Sequence, residues 1–158
     1  MAKHTILFTE EGLDKVKKEH AELQLKRKDA VADLARAREM GDLSENSAYR
    51  AARWKLSSID SRTRHLERLL KSATIVASRH SDEVEIGSTV LIHDGTTNKK
   101  FTIVGGYESD LAEGKISFFS PIGKALLHRK VGDTVCIRVP AGEITYSIIE
   151  INIEHGYC

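Results

Sequence analysis

The sequence has little cysteine, little aromatic side chain and no long apolar run. Two cysteines in 158 residues, Cys136 and Cys158, are too few and too far apart for a zinc site or a disulfide framework. Cys136 lies in an apolar alternating run and reads as a core residue. Aromatics make up 6% of the chain, so the core is expected to be aliphatic. No stretch of 18 apolar residues exists, which excludes a helical membrane span. The start, "MAKHTILFTEEG", lacks the apolar segment of a signal peptide, so a cytoplasmic protein is expected. The histidines (His4, His20, His65, His80, His93, His128, His155) are scattered without ligand spacing. There is no phosphate-binding glycine loop, and "VGGYES" reads as a turn. These absences argue against a stand-alone metal nuclease or a nucleotide-binding enzyme.

What is present is unevenly placed. The net charge is +1, but residues 1–80 hold 17 Lys and Arg against 12 acids, and residues 81–158 hold 7 against 11. That asymmetry predicts two regions with different partners. In the first region a set of positions recurs every three or four residues: Leu13, Val16, His20, Leu23, Arg27, Ala30, Leu34 and Ala37. A second set follows Gly41: Ala48, Ala52, Leu56, Ile59, Thr63, Leu66, Leu70 and Ala73. Both follow the rhythm of a coiled-coil seam, and few of the positions are large and apolar. A narrow seam with charges all round suits two helices packed on each other. The first helix is expected to start near "TEEGLDK", with Thr9 as N-cap, and to stop at Gly41. The second should begin just after it and run to about Ala73. Roughly 28 residues each makes two rods of about 42 Å, joined by a connection short enough to force them antiparallel.

From residue 85 the period changes to two. "GSTVLIH", "KKFTIVG", "GKISFF", "DTVCIRV" and "ITYSIIEINI" read as strands, separated by turn signals. "PIGKALL" reads as one short helix opening on Pro121. The expected organisation is a helical hairpin over 1–76, a linker over 77–84 and a small, mainly antiparallel α+β domain over 85–158.

The turn of the hairpin carries the sequence "GDLSEN". Asp42 has the position and type of an N-cap, and Glu45, three residues on, completes an acidic capping box. Capping alone accounts for this pattern. A chemical role is the alternative. Two carboxylates at the end of a long rod, flanked by Arg36, Arg38, Arg50, Arg53 and Lys55, are far from any core. They are too few to hold Mg²⁺ tightly, because that ion wants several further oxygens. Such a tip can complete a metal site but cannot be one.

Two stretches in separate halves resemble one family. "AREMGDLSENSAYRAAR" (37–53) is similar to the hairpin-tip signature of the bacterial Gre transcript cleavage factors. "SPIGKALL" (120–127) is similar to the signature of their C-terminal domain, and "VGDTVCIRVPAGEITYSIIEI" to their closing strand pair. The order of the parts and the length match as well, so the resemblance covers essentially the whole chain. It implies a monomeric transcription elongation factor with an N-terminal coiled-coil hairpin and an FKBP-like C-terminal domain. It implies docking on bacterial RNA polymerase, with the hairpin entering the secondary channel. It further implies that the polymerase, not this chain, cleaves backtracked RNA, and that the tip acids Asp42 and Glu45 help hold Mg²⁺ jointly with it. No cofactor of the chain's own is implied. By the same resemblance Arg38 and Arg53 contact the nascent RNA 3′ end, and Ser120 and Pro121 belong to the docking loop at the channel rim. Three positions depart from the family: Trp54, Phe119 and His128. Trp54 is expected to stack on its own coiled coil, with stacking on an extruded base as the alternative.

Two rival functions stand beside this one. A channel-binding inhibitor shares the shape but changes the tip acids, which are intact here. A module gripping RNA directly needs a strongly basic hairpin, and 12 acids in that half weaken the case.

Overall fold

The computed structural model describes residues 5–41, 45–76 and 81–153. A short strand, β1 (Ile6–Phe8), leads into a 29-residue helix, α1 (Glu10–Arg38). Thr9 caps it as expected: the Gly12 N–H donates to Thr9 Oγ1 at 3.1 Å, and Glu10 and Glu11 set negative charge against the helix dipole. The turn at "VGGYES" reinforces that start. Glu108 accepts hydrogen bonds from the backbone N–H of Thr9 and of Gly105, each at 3.0 Å, and from the Thr9 hydroxyl. A Cβ on Gly12 would fall 1.7 Å from Glu108 Oε1, so only glycine lets the carboxylate reach the cap.

After Arg38 the chain makes a turn and passes through Gly41 at φ +112°, a conformation that glycine adopts without strain. The second helix, α2 (Ser47–Ser72), runs antiparallel to α1. The pairs Arg27–Asp60, Lys55–Asp33 and Arg62–Glu19 join the helices in reverse order. Burial follows most of the expected seam, and Leu69, beside it, is buried as well. Leu13, Ala30, Ala37, Thr63 and Leu66 are buried, and Val16, Leu23, Leu34, Ala52, Leu56, Ile59 and Leu70 are half-buried. Arg27 and Ala48 are exposed and leave the seam. His20 is half-buried in it, with Nε2 3.5 Å from Glu67 Oε1.

The compact units are Asp14–Ser72 and, together, Met1–Leu13 with Ala73–Cys158. Both ends of the expected 1–76 hairpin region therefore fall in the second unit. The reason is a strand pair that the sequence did not reveal: β1 lies parallel to β2 (Ala73–Ile75), with Ile6 opposite Ala73 and Phe8 opposite Ile75. Three residues at a helix end show no period of two. The expected linker also shrinks, because Val84 is 0% exposed and Glu83 bridges Lys130. Residues 77–80 of that linker, and Cys158, lie outside the described residues.

The rest of the second unit carries the five expected strands and the short helix. These are β3 (Ser88–His93), β4 (Asn98–Val104), β5 (Lys115–Ser117), α3 (Pro121–Leu126), β6 (Thr134–Val139) and β7 (Gly142–Ile153). The sheet order is β5-β4-β3-β7-β6, antiparallel except for β4 and β5. Its core is aliphatic apart from Tyr146, with Val90, Ile92, Ile103, Ile116, Leu126, Val135, Ile137 and Ile148 buried together. Cys136 is not among them. On β6, Val135 and Ile137 point inward, so Thr134, Cys136 and Arg138 point out, and Cys136 is exposed. Among the described residues no helix is long and apolar enough to cross a membrane.

Candidate functional site

The hairpin turn is built differently from its sequence pattern. The cap of α2 is Asn46, not Asp42. Its Oδ1 accepts from the Tyr49 N–H at 3.0 Å, and its backbone carbonyl accepts from the Arg50 N–H at 3.2 Å. Its Nδ2 donates to the Ala37 carbonyl at 2.7 Å. One carboxamide thus starts α2 and ties it to the end of α1. Glu45 comes before the cap, so it cannot be the third helical residue of a capping box. It is exposed, and its carboxylate has no hydrogen-bond or ion-pair partner among the described residues. Asp42 lies outside the described residues.

Sequence reasoning missed Asn46. The signal was present, since asparagine followed by serine is good cap chemistry. Asp42, Ser44 and Asn46 compete for the role within five residues, however, and local preference does not rank them.

The basic side chains near the turn separate into two groups. Asp33 pairs with both Arg36 and Lys55. The Lys55 hydrogen bond, then that of Arg36, holds the Asp33 carboxyl below the usual range. Arg38, Arg50 and Arg53 are exposed and have no carboxylate partner among the described residues. Two of these, Arg38 and Arg53, are the positions expected to meet RNA.

Among the described residues no cluster of three or more His, Cys, Asp or Glu side chains could hold a metal ion. Glu45 suits a hard cation as a single oxygen donor, because its carboxylate is exposed and has no ion-pair partner among the described residues. The rest of a coordination shell would come from elsewhere.

Farther along α2, Trp54 is 75% exposed. It sits about 160° around the helix from the mean direction of the seam, at about 100° per residue. It does not stack on its own coiled coil as expected.

In the other unit, Ser120 and Pro121 come together at the start of α3. Ser120 Oγ accepts from the Gly123 N–H at 2.9 Å, and Pro121 follows as the first helical residue. A Cβ on Gly123 would fall 2.2 Å from the Ser117 carbonyl oxygen, so this tight approach requires glycine. Much of "SPIG" is thus explained by the fold. What the loop offers outward is Pro121 and Phe119, which is 63% exposed with its ring centroid 3.9 Å from that of Phe118. His128, just past α3, takes φ +63°, a conformation that few residues other than glycine adopt.

Both halves of the chain match known family models. Residues 6–75 match the family model "Transcription elongation factor, N-terminal", and residues 79–153 match "Transcription elongation factor, GreA/GreB, C-term". The transcription elongation factor GreA of Caldanaerobacter subterraneus is 45% identical over 151 residues, spanning 92% of this chain and 96% of that protein. GreA of Rickettsia bellii is 39% identical over 159 residues, 98% of each. The crystal structure of GreA factor homolog 1 of Thermus thermophilus aligns at 25% identity with a TM-score of 0.45, over 94% of this chain and 99% of that one. With both of its halves matched by the two family models, the chain belongs to the GreA/GreB family of transcription elongation factors.

Proposed function

We propose that this chain docks on bacterial RNA polymerase, places its hairpin turn in the secondary channel and stimulates the polymerase to cleave backtracked RNA. The observation that carries the reading is the freedom of Glu45. Capping explains an acid at a helix start, but here Asn46 does the capping, and the Glu45 carboxylate has no hydrogen-bond or ion-pair partner among the described residues.

A carboxylate held next to a fixed helix start is positioned, and none of the described residues neutralises it. Together with Asp42 it would add oxygen ligands to a magnesium ion that the polymerase holds incompletely. When bound, that ion stabilises charge on the departing oxygen and lowers the pKa of a water. Glu45 would also orient that water by accepting its hydrogen bond. Arg38 and Arg53, without carboxylate partners among the described residues, are available to phosphates of the extruded RNA 3′ end and would offset its charge near the acids. At the rim, the Ser120 hydroxyl holds the docking turn while Pro121 presents its outer surface.

The test uses stalled, backtracked polymerase and follows shortening of labelled RNA. Glu45→Gln and Asp42→Asn each keep the size of the side chain and remove the charge. Each is expected to slow cleavage by about tenfold or more at saturating protein. Full activity in both variants, with unchanged circular dichroism, would remove the tip acids from the mechanism.

A further inference from the structure

We infer that Glu108 is a positioning residue for the cleavage reaction: its carboxylate holds the root of α1 so that the hairpin turn is presented in one place. The inference rests on the function proposed above. Glu108 is not needed to start the helix. Thr9 caps it through the Gly12 N–H, and Glu10 and Glu11 supply the charge. Glu108 instead grips the cap residue itself, accepting from the Thr9 N–H at 3.0 Å and from the Thr9 hydroxyl, across 99 residues of chain. The same carboxylate accepts from the Gly105 N–H at 3.0 Å and so closes the turn that carries it.

Two glycines make this approach possible. A Cβ on Gly12 would fall 1.7 Å from Glu108 Oε1, and one on Gly105 would fall 2.1 Å from the Leu7 carbonyl oxygen. Glycine weakens a helix relative to alanine, so α1 gives up helix stability at Gly12 for the sake of this contact. Lys115 adds a second tie in the same helical turn, to Glu11 at 3.3 Å. Phe8, just before the cap, is fully buried and stacks at 6.4 Å on Tyr107, the neighbour of Glu108. All of these residues belong to one compact unit. The pair β1 and β2 also holds the root, but with three residues per strand, and it does not reach the first helical turn. From that turn α1 runs unbroken to Arg38. At 1.5 Å per residue its far end lies about 43 Å along the axis, so a tilt of about 10° at the root carries that end about 7 Å sideways. Misplacing a reacting group by about 1 Å can cost about a hundredfold in rate. A carboxylate that must meet a metal held by another protein therefore depends on how firmly the root is gripped.

The test titrates RNA shortening by backtracked polymerase against concentration of the full-length chain, with circular dichroism confirming that each variant is folded. Glu108→Ala is expected to lower the plateau rate about fivefold or more and to keep the half-maximal concentration within about twofold, because Phe119 and Pro121 are untouched. Glu108→Gln should recover most of the rate, since a carboxamide oxygen can accept from both N–H groups and its NH₂ can donate to the Thr9 hydroxyl. Gly12→Ala separates positioning from stability. It favours the helix, but its Cβ displaces the carboxylate, so it should lower the plateau as Glu108→Ala does. The double variant should be no slower than the slower single variant, because both remove one contact. In the free chain, the Thr9 amide should exchange hydrogen about tenfold or more faster in Glu108→Ala, with the Tyr49 amide unchanged. An active parent with an unchanged plateau in either Glu108→Ala or Gly12→Ala, or with a loss confined to the half-maximal concentration, would overturn the inference and leave the proposed function standing. A parent that does not stimulate cleavage would overturn that function and this inference with it.

Discussion

An asparagine carboxamide carries both a donor and an acceptor, and position 46 uses both. The acceptor starts α2 at Tyr49, and the donor closes the hairpin on the Ala37 carbonyl. Aspartate retains only the first of these. Asn46→Asp keeps good capping chemistry but sets a carboxylate oxygen against the Ala37 carbonyl in place of an N–H. We expect the variant to lose about 1–2 kcal/mol of stability in urea unfolding, with Asn46→Ser losing less because it removes the bond without adding repulsion. If the aspartate variant is as stable as the parent, the bond to Ala37 carries no weight. The same residue marks what was illegible in the sequence. Which of three neighbouring cap candidates wins depends on which can also reach the far helix, and that is a tertiary contact. Cys136 is the opposite case. Thr134 and Arg138 share its phase on β6, so the alternation already placed it outward, and its apolar character misled the reading.

At the level of elements, the two long helices were visible because a seam of three- and four-residue spacing survives a charged background. The pair β1 and β2 was hidden because three residues are too few to show a period. The seam itself is thin, so charged pairs across the hairpin weigh more than they would over a full apolar core. Arg62 donates two hydrogen bonds to Glu19, at 2.7 and 2.9 Å, and holds its carboxyl below the ordinary range; Lys55 does the same for Asp33. Carboxyls lowered in the folded state stabilise it above their unfolded value of about 4. That contribution fades as pH falls through the lowered folded values. The melting midpoint of the helical circular dichroism signal should therefore stay level from about pH 7 to 5 and drop below about pH 4. Glu19→Gln should lower the midpoint slightly at neutral pH and blunt the acid drop, since exposed pairs are worth at most about 1 kcal/mol. A midpoint in Glu19→Gln that follows the parent at every pH would show that the Arg62 pair contributes nothing.

For the whole molecule, division of labour between the units is what the fold makes measurable. The residues proposed for chemistry lie at one end of the hairpin, and those proposed for docking lie on the loop before α3. The sequence made both legible as motifs. It did not show that Ser120 and Gly123 are there largely to build the turn, leaving Phe119 and Pro121 as the surface a partner would meet. If docking and chemistry are separate, they should separate in a titration of cleavage rate against protein concentration. Phe119→Ser removes an exposed ring from the docking side and should raise the half-maximal concentration about fivefold or more, leaving the plateau rate unchanged. Glu45→Gln should lower the plateau and leave the half-maximal concentration where it was, because in the proposed mechanism its carboxylate acts only once the hairpin is seated. Combining the two should add the effects on a logarithmic scale if docking and chemistry are independent. A Phe119→Ser variant that lowers the plateau instead would mean that the docking loop also governs how the hairpin turn is presented.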